Sequence, residues 1–123
     1  SNPASAIFVS DTEDEIKKKI SKAICPERDV KDNPVLEYCK YLIFERMSRL
    51  TISRPPKYGG DLLISSYAEL EQKYVVGDIH PADLKGAVAR ALNDLVSPIR
   101  EHFEKDAHAK SLLEQVKSFQ VTR

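Results

Sequence analysis

The sequence has no excess of either charge: Lys and Arg number 19, Asp and Glu also number 19, and the formal net charge is zero. Such a molecule has no overall field to draw in nucleic acid, so any RNA binding must be local. Cysteine is scarce. Cys25 and Cys39 have neither the clustered spacing of a zinc site nor the density of a disulfide framework, which leads to the expectation of a reducing, cytoplasmic setting. No run approaches the roughly 20 apolar residues of a membrane-spanning helix. The opening Ser1-Asn2-Pro3-Ala4-Ser5 lacks the basic and apolar regions of a signal peptide, so no membrane partner is expected. A P-loop, a nucleophile elbow and a dinucleotide fingerprint are all missing, and Gly59-Gly60 is too short a glycine signal to stand for any of them. No catalytic residue is therefore expected. His102 and His108, six apart, fall on different helix faces with no third ligand in view, so no metal site is expected either.

What is present reads as one domain. A chain of 123 residues, 41% hydrophobic and 31% charged, has an ordinary soluble globular composition, with no internal repeat or low-complexity tract. After a short apolar, β-prone stretch at Ala6 to Val9, Thr12 and Glu15 have capping-box spacing and predict a helix that ends at Cys25-Pro26. Its apolar stripe is Ile16, Ile20, Ala23 and Ile24, and Lys17, Lys18, Lys19 and Lys22 take the remaining surface. Asn33-Pro34 starts a second helix through Val35, Cys39, Leu42, Ile43 and Met47. Leu50–Ser53 and Leu62–Ile64 could pair as strands around a loop with two prolines and two glycines. Ser66 and Glu69 cap a short helix that Gly77 stops. His80-Pro81 opens a long core helix through Leu84, Val88, Ala91, Leu92, Leu95 and Ile99, which Pro98 is expected to kink or restart near Ser97. From Asp106 a last amphipathic helix is expected, with Ala109, Leu112, Leu113 and Val116, and Phe119 or Gln120, along its inner edge. The fold class is thus mainly α: a compact domain of about five helices with a possible short β-hairpin.

Three features could carry recognition. Arg54, Lys57 and Tyr58 combine cations with an aromatic plane in one loop, which suits a splayed base and its flanking phosphates; Tyr58 could equally anchor the loop on the core. Asp83, about three residues into its helix, either complements the positive helix end or accepts hydrogen bonds from guanine's Watson–Crick N–H groups. The lysine cluster at 17–22 is either a solvated face or a set of phosphate contacts.

At these residues the sequence resembles the C-terminal domain of archaeal and eukaryotic tyrosyl-tRNA synthetases, which are class I aminoacyl-tRNA synthetases. The match is carried in order by Lys57-Tyr58-Gly59-Gly60-Asp61, by Ser66-Tyr67 with Glu69-Leu70-Glu71, and by Ile79-His80-Pro81-Ala82-Asp83-Leu84-Lys85. Asn33 to Tyr38 and Ser97 to Glu101 are similar as well, so the likeness runs from Ile7 to about Phe103. Residues 1–10 resemble the segment after the Lys-Met-Ser-Lys-Ser signature, and 11–123 the helical anticodon-binding domain.

The resemblance implies a recognition half. The parent would be a tyrosine–tRNA ligase whose Rossmann domain, ATP and magnesium lie outside this segment, with no cofactor within it. It also implies that Tyr58 stacks on the first anticodon base, a guanine, that Asp83 hydrogen-bonds it, and that His80, which could also be an N-cap, touches a neighbouring base. Lys57, Arg54 and Lys85 become phosphate contacts. The implied partners are tyrosine tRNA and the catalytic domain of the same synthetase. The parent would be a homodimer through that domain, and neither DNA nor a membrane is a partner. The rival reading is a non-catalytic helical interaction module derived from a synthetase; a tryptophanyl enzyme is a weaker match.

Overall fold

The computed structural model describes residues 6–108, 110–112 and 114–115. Helix α1 spans Glu13–Lys22 and starts where local chemistry places it: Thr12 Oγ1 accepts from the Glu15 N–H at 3.2 Å, and Glu15 Oε1 accepts from the Thr12 N–H at 2.9 Å. Acidic residues fill its first turn and lysines its last, as the helix dipole favours. Ile16 and Ile20 are its buried residues. The helix stops at Lys22 rather than at Cys25-Pro26, with Ala23 already extended and its N–H bonded to the Ile20 carbonyl. Ile24, expected on the apolar stripe, is 67% exposed in consequence.

Lys19 also departs from the sequence reading. Instead of facing solvent, its ammonium lies 2.8 Å from Asp11 Oδ2 and 2.8 Å from the Ala6 carbonyl, over the ring of Phe8. That anchor folds residues 6–10 against α1 as a turn, with the Asp11 N–H donating to the Phe8 carbonyl, so the β-prone stretch forms no strand.

The second helix has three parts. α2 (Pro34–Tyr38) begins at Asn33, whose buried side chain accepts from the Leu36 N–H and donates to the Asp29 carbonyl. A π-helical turn, Cys39–Ile43, follows, and α3 (Phe44–Arg46) completes the run. Val35, Cys39 and Ile43, spaced four apart, would drift around an α-helix; the wider i→i+5 turn keeps Cys39 and Ile43 on the buried side.

Strands β1 (Leu50–Ile52) and β2 (Leu62–Ile64) pair antiparallel, with Leu50 opposite Ile64 and Ile52 opposite Leu62. Leu50, Ile52 and Ile64 turn into the core, while Thr51 and Leu63 face out. α4 (Tyr67–Val75) is capped by Ser66. Its C-terminal end closes on Gly77, at φ +89°, with the Gly77 N–H donating to the Tyr74 carbonyl and the Asp78 N–H to that of Lys73, a Schellman closure.

α5 (Pro81–Lys105) is the spine, packed against α1, α2 and β1. Leu84, Ala87, Val88, Ala91, Leu92 and Val96 are buried along it. It does not restart at Pro98; the helix continues to Lys105. Burial nevertheless ends at Val96, and Ile99, expected on the core stripe, is 44% exposed. Helical turns resume after Asp106, where Leu112 is exposed. Ala109, Leu113, Val116, Phe119 and Gln120, expected on that helix's inner edge, lie outside the described residues. Among the described residues no helix is long and apolar enough to cross a membrane, and no group of three or more His, Cys, Asp or Glu is placed to hold a metal ion.

Candidate nucleic-acid interface

The loop between β1 and β2 is shaped by its prolines and glycines. Pro56–Tyr58 forms a 3-10 turn, held by hydrogen bonds from the Tyr58 and Gly60 N–H groups to the Pro55 carbonyl at 2.9 and 3.2 Å. Gly59 and Gly60 then take φ of +106° and +74°, a left-handed path that other residues adopt only under strain. This tight turn leaves the Tyr58 ring 61% exposed, with the Lys57 ammonium 5.0 Å from its centroid. The reading of Tyr58 as a core anchor is thereby set aside, since a ring so exposed does not serve core packing.

Arg54 ties this loop to the rest of the molecule. Its Nε donates to the Gly60 carbonyl at 2.8 Å and its Nη1 to the Asp78 carbonyl at 2.9 Å. A Cβ at Gly59 would be strained at φ +106° and would come within 2.6 Å of Arg54 Nη2, displacing the guanidinium tip. Asp78 lies in the turn between α4 and α5, two residues before the cap of α5. The aromatic loop and the start of α5, distant in sequence, are thus held side by side through one planar fork.

At the start of α5, His80 accepts the Ala82 N–H through Nδ1 at 3.0 Å. Accepting there places the ring proton on Nε2, which remains a donor on an exposed side chain. His80 therefore serves as the N-cap without losing the capacity to make an outward contact. Asp83 sits in the first turn, half-buried, and among the described residues no hydrogen bond or ion pair engages its carboxylate. Its position complements the positive end of α5, and its oxygens remain available.

The six residues singled out from sequence do not form one surface. Lys57, Tyr58, His80 and Asp83 belong to the two segments that Arg54 joins. Arg54 itself is half-buried and committed to carbonyls, which makes it the brace of the site before it is a cation available to phosphate. Lys85 turns the other way and donates to the Ser21 carbonyl at the end of α1 at 2.9 Å. No signal of residue type points to Asp78, which contributes only a backbone carbonyl to the Arg54 brace. Cys39 is fully buried and burial pushes its thiol up to about 12, so it is an inert packing group rather than a nucleophile.

Residues 1–97 match the family described as class I tRNA synthetases (W and Y). Over 124 residues the chain is 48% identical to the tyrosine–tRNA ligase of Pyrococcus furiosus, which covers all of this chain and 32% of that protein. Over 123 residues it is 46% identical to cytoplasmic tyrosine–tRNA ligase 1 of Arabidopsis thaliana, again covering all of this chain and 32% of the relative. The crystal structure of the Pyrococcus horikoshii tyrosyl-tRNA synthetase with L-tyrosine superposes with a TM-score of 0.83 at 42% identity, over 94% of this chain and 31% of that one. This chain therefore spans about a third of the length of these relatives.

Proposed function

Because the chain belongs to the class I tRNA synthetases of the tryptophanyl and tyrosyl family, we propose that it is the anticodon-reading part of a tyrosine–tRNA ligase. Tyr58 offers the π-face on which the first anticodon base stacks, and Asp83 offers carboxylate oxygens to the two Watson–Crick N–H groups of a guanine. Adenine presents no such pair of donors, so the contact discriminates as well as binds. His80 Nε2 is placed to donate to a neighbouring base, and Lys57 to meet a flanking phosphate.

The observation that supports this reading is the Arg54 brace, which ties the loop carrying an exposed Tyr58 to the turn before α5, whose first-turn Asp83 carboxylate has no partner among the described residues. Tyr58 is too exposed for a core-packing role, and Asp83, while it complements the positive end of α5, keeps its oxygens available. In this proposal ATP, magnesium and tyrosine act at a catalytic domain outside the segment. Binding energy from the correct anticodon lowers the barrier to charging there.

The test is aminoacylation by the intact protein carrying Asp83→Ala. Losing a paired contact to one base is worth about 1–3 kcal/mol, so kcat/KM on the normal tRNA is expected to fall roughly 5- to 150-fold. Discrimination against a tRNA with a changed first anticodon base should shrink by a similar factor. Unchanged kinetics on both tRNAs would reject the reading of Asp83, whereas no charging and no anticodon-dependent binding by the unaltered protein would favour a non-catalytic helical interaction module.

A further inference from the structure

Lys19 does not share the solvent face of the other α1 lysines. Lys17, Lys18 and Lys22 are exposed, whereas the Lys19 side chain is 19% exposed and faces an Asp11 side chain that is 6% exposed. An ammonium has three N–H donors, and Lys19 has three partners, all in the segment that enters α1. They are the Ala6 carbonyl at 2.8 Å, Asp11 Oδ2 at 2.8 Å, and the Phe8 ring, 4.7 Å away at its centroid. The segment is also closed on itself, because Asp11 Oδ2 accepts the Phe8 N–H at 2.9 Å and the Asp11 N–H donates to the Phe8 carbonyl at 3.0 Å.

Stability alone does not account for a buried ion pair. Withdrawing both charges from water offsets most of their attraction, and apolar side chains of similar volume often pack as well or better. What a hydrogen-bonded pair adds is one fixed arrangement where an apolar contact tolerates several. Here that arrangement sets the path of the chain into the domain, since Asp11 and Ala6 lie 8 and 13 residues before Lys19. α1 in turn packs along α5, the helix whose first turn carries Asp83.

We infer that Lys19 is a positioning residue for tRNA charging. The inference rests on the anticodon reading, in which residues 1–10 lead in from the catalytic domain. Asp11, Lys19, α1 and α5 then form a continuous rigid path from the entering segment to the base slot, and the Lys19 anchor sets the angle at which the two domains meet. A tRNA held by its anticodon has its acceptor end delivered to the reacting centre only when that angle is right. Loosening the anchor leaves binding intact and misplaces the acceptor end.

The experiment uses the intact protein and tyrosine tRNA transcripts with guanine or adenine at the first anticodon position. Lys19→Met combined with Asp11→Asn removes both charges, so neither is left buried alone, and the new amide oxygen can still accept the Phe8 N–H. Asp11→Asn alone is the milder variant. Misplacement of a reacting group costs up to about 100-fold, so the single-turnover rate of tyrosine transfer to tRNA is expected to fall roughly 10- to 100-fold in the double variant and less in the single one. Tyrosine activation without tRNA, the tRNA dissociation constant and the preference for guanine are expected to stay unchanged. A merely structural role would not produce that split. If the double variant fails to fold, Asp11→Asn decides by the same comparison. Unchanged transfer in both variants overturns the inference, and so does a loss of tRNA affinity or of tyrosine activation that accounts for the whole fall in rate. If the unaltered protein charges both transcripts equally while the variants lose transfer, the base reading fails and the anchor stands. If the unaltered protein charges neither, both fail.

Discussion

A single guanidinium settles much of what this molecule presents to solvent. Arg54 reads in the sequence as a loop cation beside an aromatic ring, and in the structure it spans two carbonyls, those of Gly60 and Asp78, 24 residues from its more distant partner. Lysine, a point charge on a flexible stem, cannot make both bonds in one plane. Arg54→Ala leaves two carbonyls to water or to each other's repulsion, and hydrogen bonds to a charged group are worth about 1.5–3 kcal/mol when buried. At this half-buried position the expected loss in a urea titration is about 1–2 kcal/mol, with Arg54→Lys recovering only part of it. A brace and a phosphate contact differ in one respect that can be measured. Removing a brace lowers RNA affinity without altering the salt slope, whereas removing a phosphate contact reduces the slope by about 1.

At the scale of elements, helix starts were legible because each is written in adjacent residues. Thr12 with Glu15, Asn33 with Pro34, and His80 with Pro81 all bond to backbone groups within three positions. Ends were less legible. α1 stops at Lys22, ahead of Cys25-Pro26, and the Cys25 and Pro26 carbonyls meet the hydroxyl of Tyr74 on α4, 2.6 Å from the Pro26 oxygen. Nothing local announces that bond.

The π-helical turn and the start of α4 share a second consequence. Burial pushes the Cys39 thiol up from 9.0 to about 12, and burial followed by the charge of Glu71 pushes the Tyr67 phenol up from 10.0 to about 12. Both groups hold their protons more tightly when folded, so their stabilisation is complete below about pH 9 and is lost as pH rises from 9 toward 12. Urea midpoints are expected to stay level through neutral pH and to fall above about 9. Cys39→Ala, which removes the earlier of the two titrations, should move that onset toward about 10.

For the whole molecule, the mainly α architecture and the paired β1–β2 hairpin followed directly from apolar spacing and turn residues. The joining of the hairpin loop to the start of α5 did not, because backbone carbonyls carry no signature of residue type. Lys19 illustrates the same limit: its charge suggested solvent, and its partners, Asp11 and the Ala6 carbonyl, became visible only once residues 6–10 folded back on α1. What composition did establish is that recognition has to be local. The proposed surface for it is the Tyr58 loop and the start of α5, on a body of zero net charge.

The central claim is that the Asp83 carboxylate touches one particular guanine. The most direct measurement is a double-mutant cycle on the intact protein, pairing Asp83→Ala with guanine-to-adenine at the first anticodon position and reading the tRNA dissociation constant at fixed salt. The account predicts strong coupling, with either change alone costing about as much as both together. Two losses that simply add would show that residue and base do not meet.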